Sequence, residues 1–95
     1  TPVMASADGV VTMAKKNGSF GLMIEVNHGF GFKTRYAHLS KMLVKRGTRV
    51  KRGEIIGLVG NTGRSTGSHL HYEVVFRKAH RNPLYYIIPE GTYFD

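Results

Sequence analysis

The chain has 95 residues, twelve glycines, no cysteine and a formal net charge of +8. A length of that order makes one small domain of marginal stability. The lack of cysteine excludes disulfides and thiolate zinc sites, no apolar run approaches the ~20 residues that span a bilayer, and the positive charge predicts an anionic partner without naming it.

The sequence opens at Thr1-Pro2-Val3 rather than at methionine and shows no signal peptide, so it reads as processed or truncated. Short β-favouring runs then alternate with turn signals. Strands are expected over residues 9–15, 21–27, 33–39, 55–59 and 69–77. Val10, Val11 and Thr12 favour strand. Leu22, Ile24 and Val26 alternate with Met23, Glu25 and Asn27 at a period of two. On the same period Thr34, Tyr36 and His38 share one face, with Arg35, Ala37 and Leu39 on the other. Lys16-Asn17-Gly18-Ser19, Asn27-His28-Gly29 and Lys51-Arg52-Gly53-Glu54 read as turns. Residues 39–45 alone have an apolar spacing that suits a short helix. Asn82-Pro83 and Pro89-Glu90-Gly91 mark the C-terminal segment as irregular or as edge structure. The pattern predicts an all-β fold, a compact antiparallel sandwich or barrel-like sheet, in a single domain over residues 1–95.

A glycine-rich loop, Gly60-Asn61-Thr62-Gly63-Arg64-Ser65-Thr66-Gly67-Ser68, leads into His69-Leu70-His71. It does not read as a phosphate cradle. A P-loop needs four residues between its glycines and then Gly-Lys-Ser/Thr; Gly63-Arg64-Ser65 lacks the lysine and the spacing. In a strand His69 and His71 point to one side, with Cα atoms roughly 6.5–7 Å apart, while Leu70, Tyr72, Val74 and Phe76 face a core. Two histidines held on one face can bind a metal and move a proton. A catalytic zinc takes three protein ligands and keeps a position for water. Asp8 and Glu73 are the nearest further candidates, and neither has telling spacing. His80 reads as solvated beside Lys78 and Arg81, His28 as a hydrogen-bonding turn residue, and His38 is undecided on its own.

The run from Gly60 through His69-Leu70-His71-Tyr72-Glu73-Val74 resembles the signature of the lysostaphin-type zinc metalloendopeptidases, the LytM-domain family. Other stretches agree, in the right order. Thr1-Pro2-Val3 with Ala5, Ala7-Asp8-Gly9 and Val11 resembles the family's early strand. His28-Gly29 and Tyr36-Ala37-His38-Leu39 resemble its middle strands. Gly47, Val50, Gly53 and Ile56-Gly57 resemble its swivelling β-motif, and Asn82-Pro83-Leu84 its ending. The resemblance implies a compact antiparallel β-structure on a duplicated hybrid motif, with a groove across one sheet. It implies a zinc cofactor and, as substrate, the cross-link or stem peptides of bacterial peptidoglycan. It implies His71 as a zinc ligand. His69 and His38 would be catalytic, orienting or deprotonating the attacking water and stabilising the tetrahedral intermediate. It implies a place in the cell envelope, periplasmic or extracellular. Arg64, Ser65 and Thr66 are candidates to line the groove, and Tyr36 to hydrogen-bond substrate; loop shaping and packing are the alternatives for these four.

One departure from the family stands out. Its other two ligands come from a His-x-x-x-Asp motif, and none of the five histidines here has an aspartate four positions later. In the family that motif precedes the segment resembling Thr1-Pro2-Val3, so it would fall upstream of Thr1. The chain alone is therefore expected to be inactive and to bind zinc weakly or not at all. Its sheet edge is expected to pair with a second copy or with a separate N-terminal segment. The other reading is a non-catalytic LytM-like module that regulates wall hydrolases or binds peptidoglycan, which would need none of His38, His69 and His71. A basic β-barrel for nucleic acid rests on charge alone, because the aromatics form no obvious stacking platform.

Overall fold

The alternating runs of the sequence fold as strands. The computed structural model describes residues 1–60, 69–76 and 84–89, with side chains for residues 1–60 and 70–76. Among them are β1 (Pro2–Met4), β2 (Gly9–Lys16), β3 (Leu22–Gly29), β4 (Phe32–Met42), β5 (Arg49–Val50), β6 (Ile55–Val59), β7 (His69–Phe76) and β8 (Leu84–Pro89). A 3-10 turn, Gly18–Phe20, joins β2 to β3, and no α-helix occurs among the described residues. The strands form one antiparallel sheet in the order β1-β6-β4-β3-β2-β5, with β7 on β4 and β8 on β7. The sheet curls into half a barrel. One face encloses the core, which includes Val3, Val11, Ile24, Leu39, Ile56 and Leu70. Full burial of each such aliphatic side chain contributes about 1.5–3 kcal/mol. The period of two in β3 sends Ile24 and Val26 into this core and Met23 and Glu25 to the opposite face, where both are also buried.

The structure departs from the sequence reading at several elements. Residues 39–45 form no helix. β4 runs on through Met42, because Leu39, Lys41 and Met42 lie opposite Val59, Leu58 and Gly57 of β6. A strand partner outweighs helical spacing in so short a segment. β1 and β5 have three and two residues, too few to show an alternation, and turn contacts hold them instead. Ala5 N–H donates to the Glu54 carbonyl at 2.9 Å, and Gly53 N–H donates back to the Ala5 carbonyl at 2.8 Å. Val11 N–H donates to the Thr48 carbonyl, and Gly47 N–H to the Val11 carbonyl, both at 2.8 Å. Gly47 makes that turn at φ +94°, where a side chain would be strained. Among the described residues β8 pairs with β7 alone, the edge position that suits a segment ending in proline.

β4 is the strand around which the histidines gather. One of its edges pairs with β3. The other is shared, residues 32–37 with β7 and residues 39–42 with β6. Both partners are antiparallel to β4, so β6 and β7 run in one direction, end to end along a single edge. The chain leaves that edge after Val59 and rejoins it at His71, opposite Ala37. His38 marks the joint.

Candidate active site

His38 sits in a β-bulge. Across β3 the step from Leu22 to Ile24 covers two residues, while the facing step in β4, Tyr36 to Leu39, covers three. His38 adopts φ +61° there, a left-handed conformation that costs a non-glycine residue about 1–3 kcal/mol. The extra residue resets the alternation, so Tyr36 and Leu39 both enter the core. His38 itself is buried, and its carbonyl accepts the Gly60 N–H at 3.0 Å. Its ring centre lies 5.8 Å from that of His71, edge to face. Two histidines from different strands are thus brought together where β4 changes partner.

His71 stands opposite Ala37 in the β4–β7 register. Facing residues of an antiparallel pair share a side of the sheet, and Ala37 presents only a methyl group there. Phe20, carried by the 3-10 turn, meets the His71 ring edge-on at 5.4 Å. The Nε2 atom of His71 lies 3.2 Å from Oε2 of Glu73. An ionised carboxylate can only accept, so Nε2 carries the proton and, in the neutral ring, Nδ1 carries the lone pair.

Glu73 belongs to a row of charges crossing three strands. Arg35 Nη1 donates to Glu73 Oε1 at 3.3 Å, and Arg35 Nε donates to Glu25 Oε2 at 2.7 Å. Thr12 Oγ1 donates to Glu25 Oε1 at 2.8 Å, and Lys33 Nζ lies 3.7 Å from the same oxygen. The register explains the row. Glu25 faces Arg35 across β3–β4, and Arg35 faces Glu73 across β4–β7. Burial pushes the Glu25 carboxyl up, but hydrogen bonds from Arg35 and Thr12 and the charges of Lys33 and Arg35 outweigh it and hold it below its ordinary value. Burial likewise pushes the Arg35 guanidinium down, and the hydrogen bonds and charges of Glu25 and Glu73 more than offset this, leaving it raised.

Tyr36 does not share a face with His38. Strict alternation would put them together; the bulge separates them. Tyr36 is fully buried at 0% exposure, which leaves it no surface for a substrate. Its hydroxyl accepts the Ser6 N–H at 3.0 Å and lies 2.8 Å from Thr34 Oγ1. Thr34 connects to Nε2 of His28 at 2.7 Å, and His28 Nδ1 meets the Asp8 carbonyl at 2.7 Å. That carbonyl can only accept, so His28 carries its proton on Nδ1, Thr34 donates to Nε2, and Tyr36 donates to Thr34. His28 is therefore a hydrogen-bonding residue that ties the turn before β2 to β4. Asp8 is engaged elsewhere as well, its Oδ1 accepting the Arg52 N–H at 2.8 Å. Glu73 reaches the site by hydrogen-bonding His71.

His69 heads β7 opposite Pro89 of β8, and its side chain lies outside the described residues. Arg64, Ser65, Thr66 and His80 lie outside them altogether. Sequence reasoning missed Phe20, Arg35 and Glu25 as neighbours of the histidines. For Arg35 and Glu25 the signal was a complementary charge at one position of each alternating strand, legible only once the register is known; Phe20, on the 3-10 turn, had none. Among the described residues no group of three His, Cys, Asp or Glu side chains is placed to hold a metal ion. Among the described residues His71 has the form of a metal-binding histidine, a neutral imidazole whose other nitrogen is held by a carboxylate.

The description "Peptidase family M23" matches residues 1–83. The peptidoglycan DD-endopeptidase ShyA of Vibrio cholerae is 51% identical over 92 residues, covering 97% of this chain and 21% of ShyA. A zinc-containing peptidase from Vibrio cholerae of known structure is 44% identical with a TM-score of 0.77, over 90% of this chain and 26% of the other. The catalytic domain of the antimicrobial peptidase lysostaphin from Staphylococcus simulans is 39% identical with a TM-score of 0.79, over 82% of this chain and 60% of that domain's chain. The chain spans about a fifth of the length of the curated relatives it matches.

Proposed function

This chain belongs to peptidase family M23, and on that premise we propose that it is catalytic-domain material of a zinc-dependent peptidoglycan endopeptidase of the cell envelope, periplasmic or extracellular. The observation that carries the reading is the His38–His71 pair, with ring centres 5.8 Å apart at the joint of β4. His71 serves as a zinc ligand. Bound zinc would polarise the scissile carbonyl and lower the pKa of its water to about 7. His38 and His69 handle protons: one imidazole takes the proton of the attacking water as its oxygen bonds to the carbonyl carbon. That proton passes to the amine that leaves when the C–N bond breaks. The other imidazole donates to the developing oxyanion. Arg64, Ser65 and Thr66 line the groove, and the net positive charge suits stem peptides that carry carboxylates. In this reading the two remaining zinc ligands stand upstream of Thr1, on a segment that pairs with the exposed sheet edge. The 95-residue chain by itself is then inactive, holds zinc weakly, and is free to pair with a second copy.

The test is made on the full-length protein that carries this chain. Purified peptidoglycan is digested and the released muropeptides are counted by mass spectrometry, with bound zinc measured alongside. His71→Ala should lose zinc and activity. His38→Ala and His69→Ala should keep zinc and lose activity by about 10²-fold or more. Full hydrolysis by His38→Ala, or stoichiometric zinc retained by His71→Ala, would overturn the reading. A wild-type protein that binds peptidoglycan without cutting it would make the domain a binding or regulatory module.

A further inference from the structure

We infer that Glu73 is a positioning residue for His71, and that Arg35 and Glu25 hold it in that role from the neighbouring strands. The inference deepens the metallopeptidase reading and rests on it for the use made of His71. It starts from burial. Glu73 is 3% exposed and Glu25 5% exposed, and a carboxylate so placed needs partners. Arg35 supplies them to both, through Nε on one side and Nη1 on the other. The guanidinium is a rigid planar fork, so it fixes the two carboxylates relative to each other. Glu25 is fixed in turn by Thr12 on β2 and Lys33 on β4. With one oxygen engaged by Arg35, Glu73 aims the other at Nε2 of His71 at 3.2 Å. The consequence is a chosen tautomer. His71 keeps its proton on Nε2 and offers Nδ1 as the donor atom, before any ligand arrives. A free histidine ring exchanges between its two tautomers, and a ring able to flip would present the wrong nitrogen part of the time. Lysine could not replace Arg35 here, because one ammonium on a flexible stem cannot reproduce the fixed two-sided fork.

The structure also supplies an internal reference. His28 is held in the opposite tautomer, with Nδ1–H on the Asp8 carbonyl, and none of the three charged residues touches it. The experiment is long-range ¹H–¹⁵N NMR of the imidazoles in the labelled 95-residue chain, metal-free, at about pH 8.5, above the ordinary imidazole range. Wild type should show His71 protonated on Nε2 and His28 protonated on Nδ1. Glu73→Ala and Arg35→Lys should turn His71 into a tautomer mixture while His28 keeps its pattern. Glu73→Gln, which retains an accepting oxygen, should restore most of the Nε2–H form. If Glu73→Ala also scrambles His28, the fold has changed, and the Gln and Arg35→Lys variants with the wild-type spectrum decide. His71 protonated on Nδ1 in wild type, or an unchanged His71 in both Glu73→Ala and Arg35→Lys, would overturn the inference. A second readout is zinc affinity of the full-length protein, expected to fall about 10–100-fold in Glu73→Ala and to recover partly in Glu73→Gln. The two failures are distinguishable. The expected tautomer in a full-length protein that binds no zinc refutes the metallopeptidase reading alone; zinc-dependent hydrolysis with the wrong tautomer refutes the positioning role alone.

Discussion

Replacing Gly60 with alanine should destabilise the fold through the bulge that carries His38. A Cβ at residue 60 would lie 2.5 Å from Ser40 Cβ and 2.8 Å from both Ser40 Cα and Ser40 N. Carbon atoms rest at about 3.5–4.0 Å, so the overlap is about 1 Å. The obstacle is backbone and a Cβ, which cannot rotate away. The dihedral angle does not decide the outcome, since Gly60 is not among the positive-φ glycines. Two effects then compete. Alanine restricts the unfolded chain, a gain of about 0.4–1 kcal/mol. Forcing apart a packed contact costs about 1–3 kcal/mol. The overlap wins, for a net loss of about 1–2 kcal/mol. The assay is urea denaturation of both proteins, comparing midpoints at an unchanged slope. Because the Gly60 N–H binds the His38 carbonyl at 3.0 Å, the His38 imidazole signals should move while those of His28 stay. A variant within about 0.5 kcal/mol of wild type, the range of an ordinary surface change, would refute the reasoning. It would mean that the exit of β6 relaxes freely and does not constrain the bulge.

Tyr36→Phe should cost about 1–3 kcal/mol, because it strips hydrogen bonds from Ser6 and the buried Thr34. Hydrolysis per folded molecule of the full-length protein should be unchanged. Activity lost without stability would return Tyr36 to the substrate groove. Glu25 has a depressed folded value, so the unfolded chain binds the extra proton in acid. Its stabilisation is complete above the unfolded value of about 4.3 and is lost as the pH falls through the folded value. Glu25→Gln should therefore flatten the acid limb of stability as the pH falls below the unfolded value of about 4.3, read as urea midpoints; parallel curves for the two proteins would contradict the row of charges.

The longer strands were legible because their periodicity is strong. β6 was expected at 55–59 and found there, and β2, β3 and β7 began within a residue of their expected starts. β1 and β5 were not legible from periodicity, only through the family resemblance of Thr1-Pro2-Val3 and Val50, since their places are set by turn hydrogen bonds from Ala5, Val11, Gly47 and Gly53, not by a pattern of their own. The bulge at His38 was hidden for a different reason. Nothing in Tyr36-Ala37-His38-Leu39 announces it. It arises because β4 must serve β7 and then β6 along one edge, which is a property of the whole sheet. That single residue puts Tyr36 in the core, the packing alternative to hydrogen-bonding substrate. The charged row was hidden in the same way: Glu25, Arg35 and Glu73 are ordinary strand residues in the sequence and become partners only through register. The His-x-His signal was legible because its two residues are local to one strand.

The end-to-end placement of β6 and β7 separates the spacing of His38 and His71 from the length of the connection between the two strands. The connection after Gly60 starts and finishes on the same edge of β4, so residues added to it or removed from it leave the register of both strands intact. Doubling the length of such a connection costs only about 0.6 kcal/mol in closure entropy. The distance between His38 and His71 is set by the strands and need not follow. A lineage can therefore change the length of the connection while the His38–His71 pair stays where it is. The joint in β4 makes that change nearly independent of fold stability.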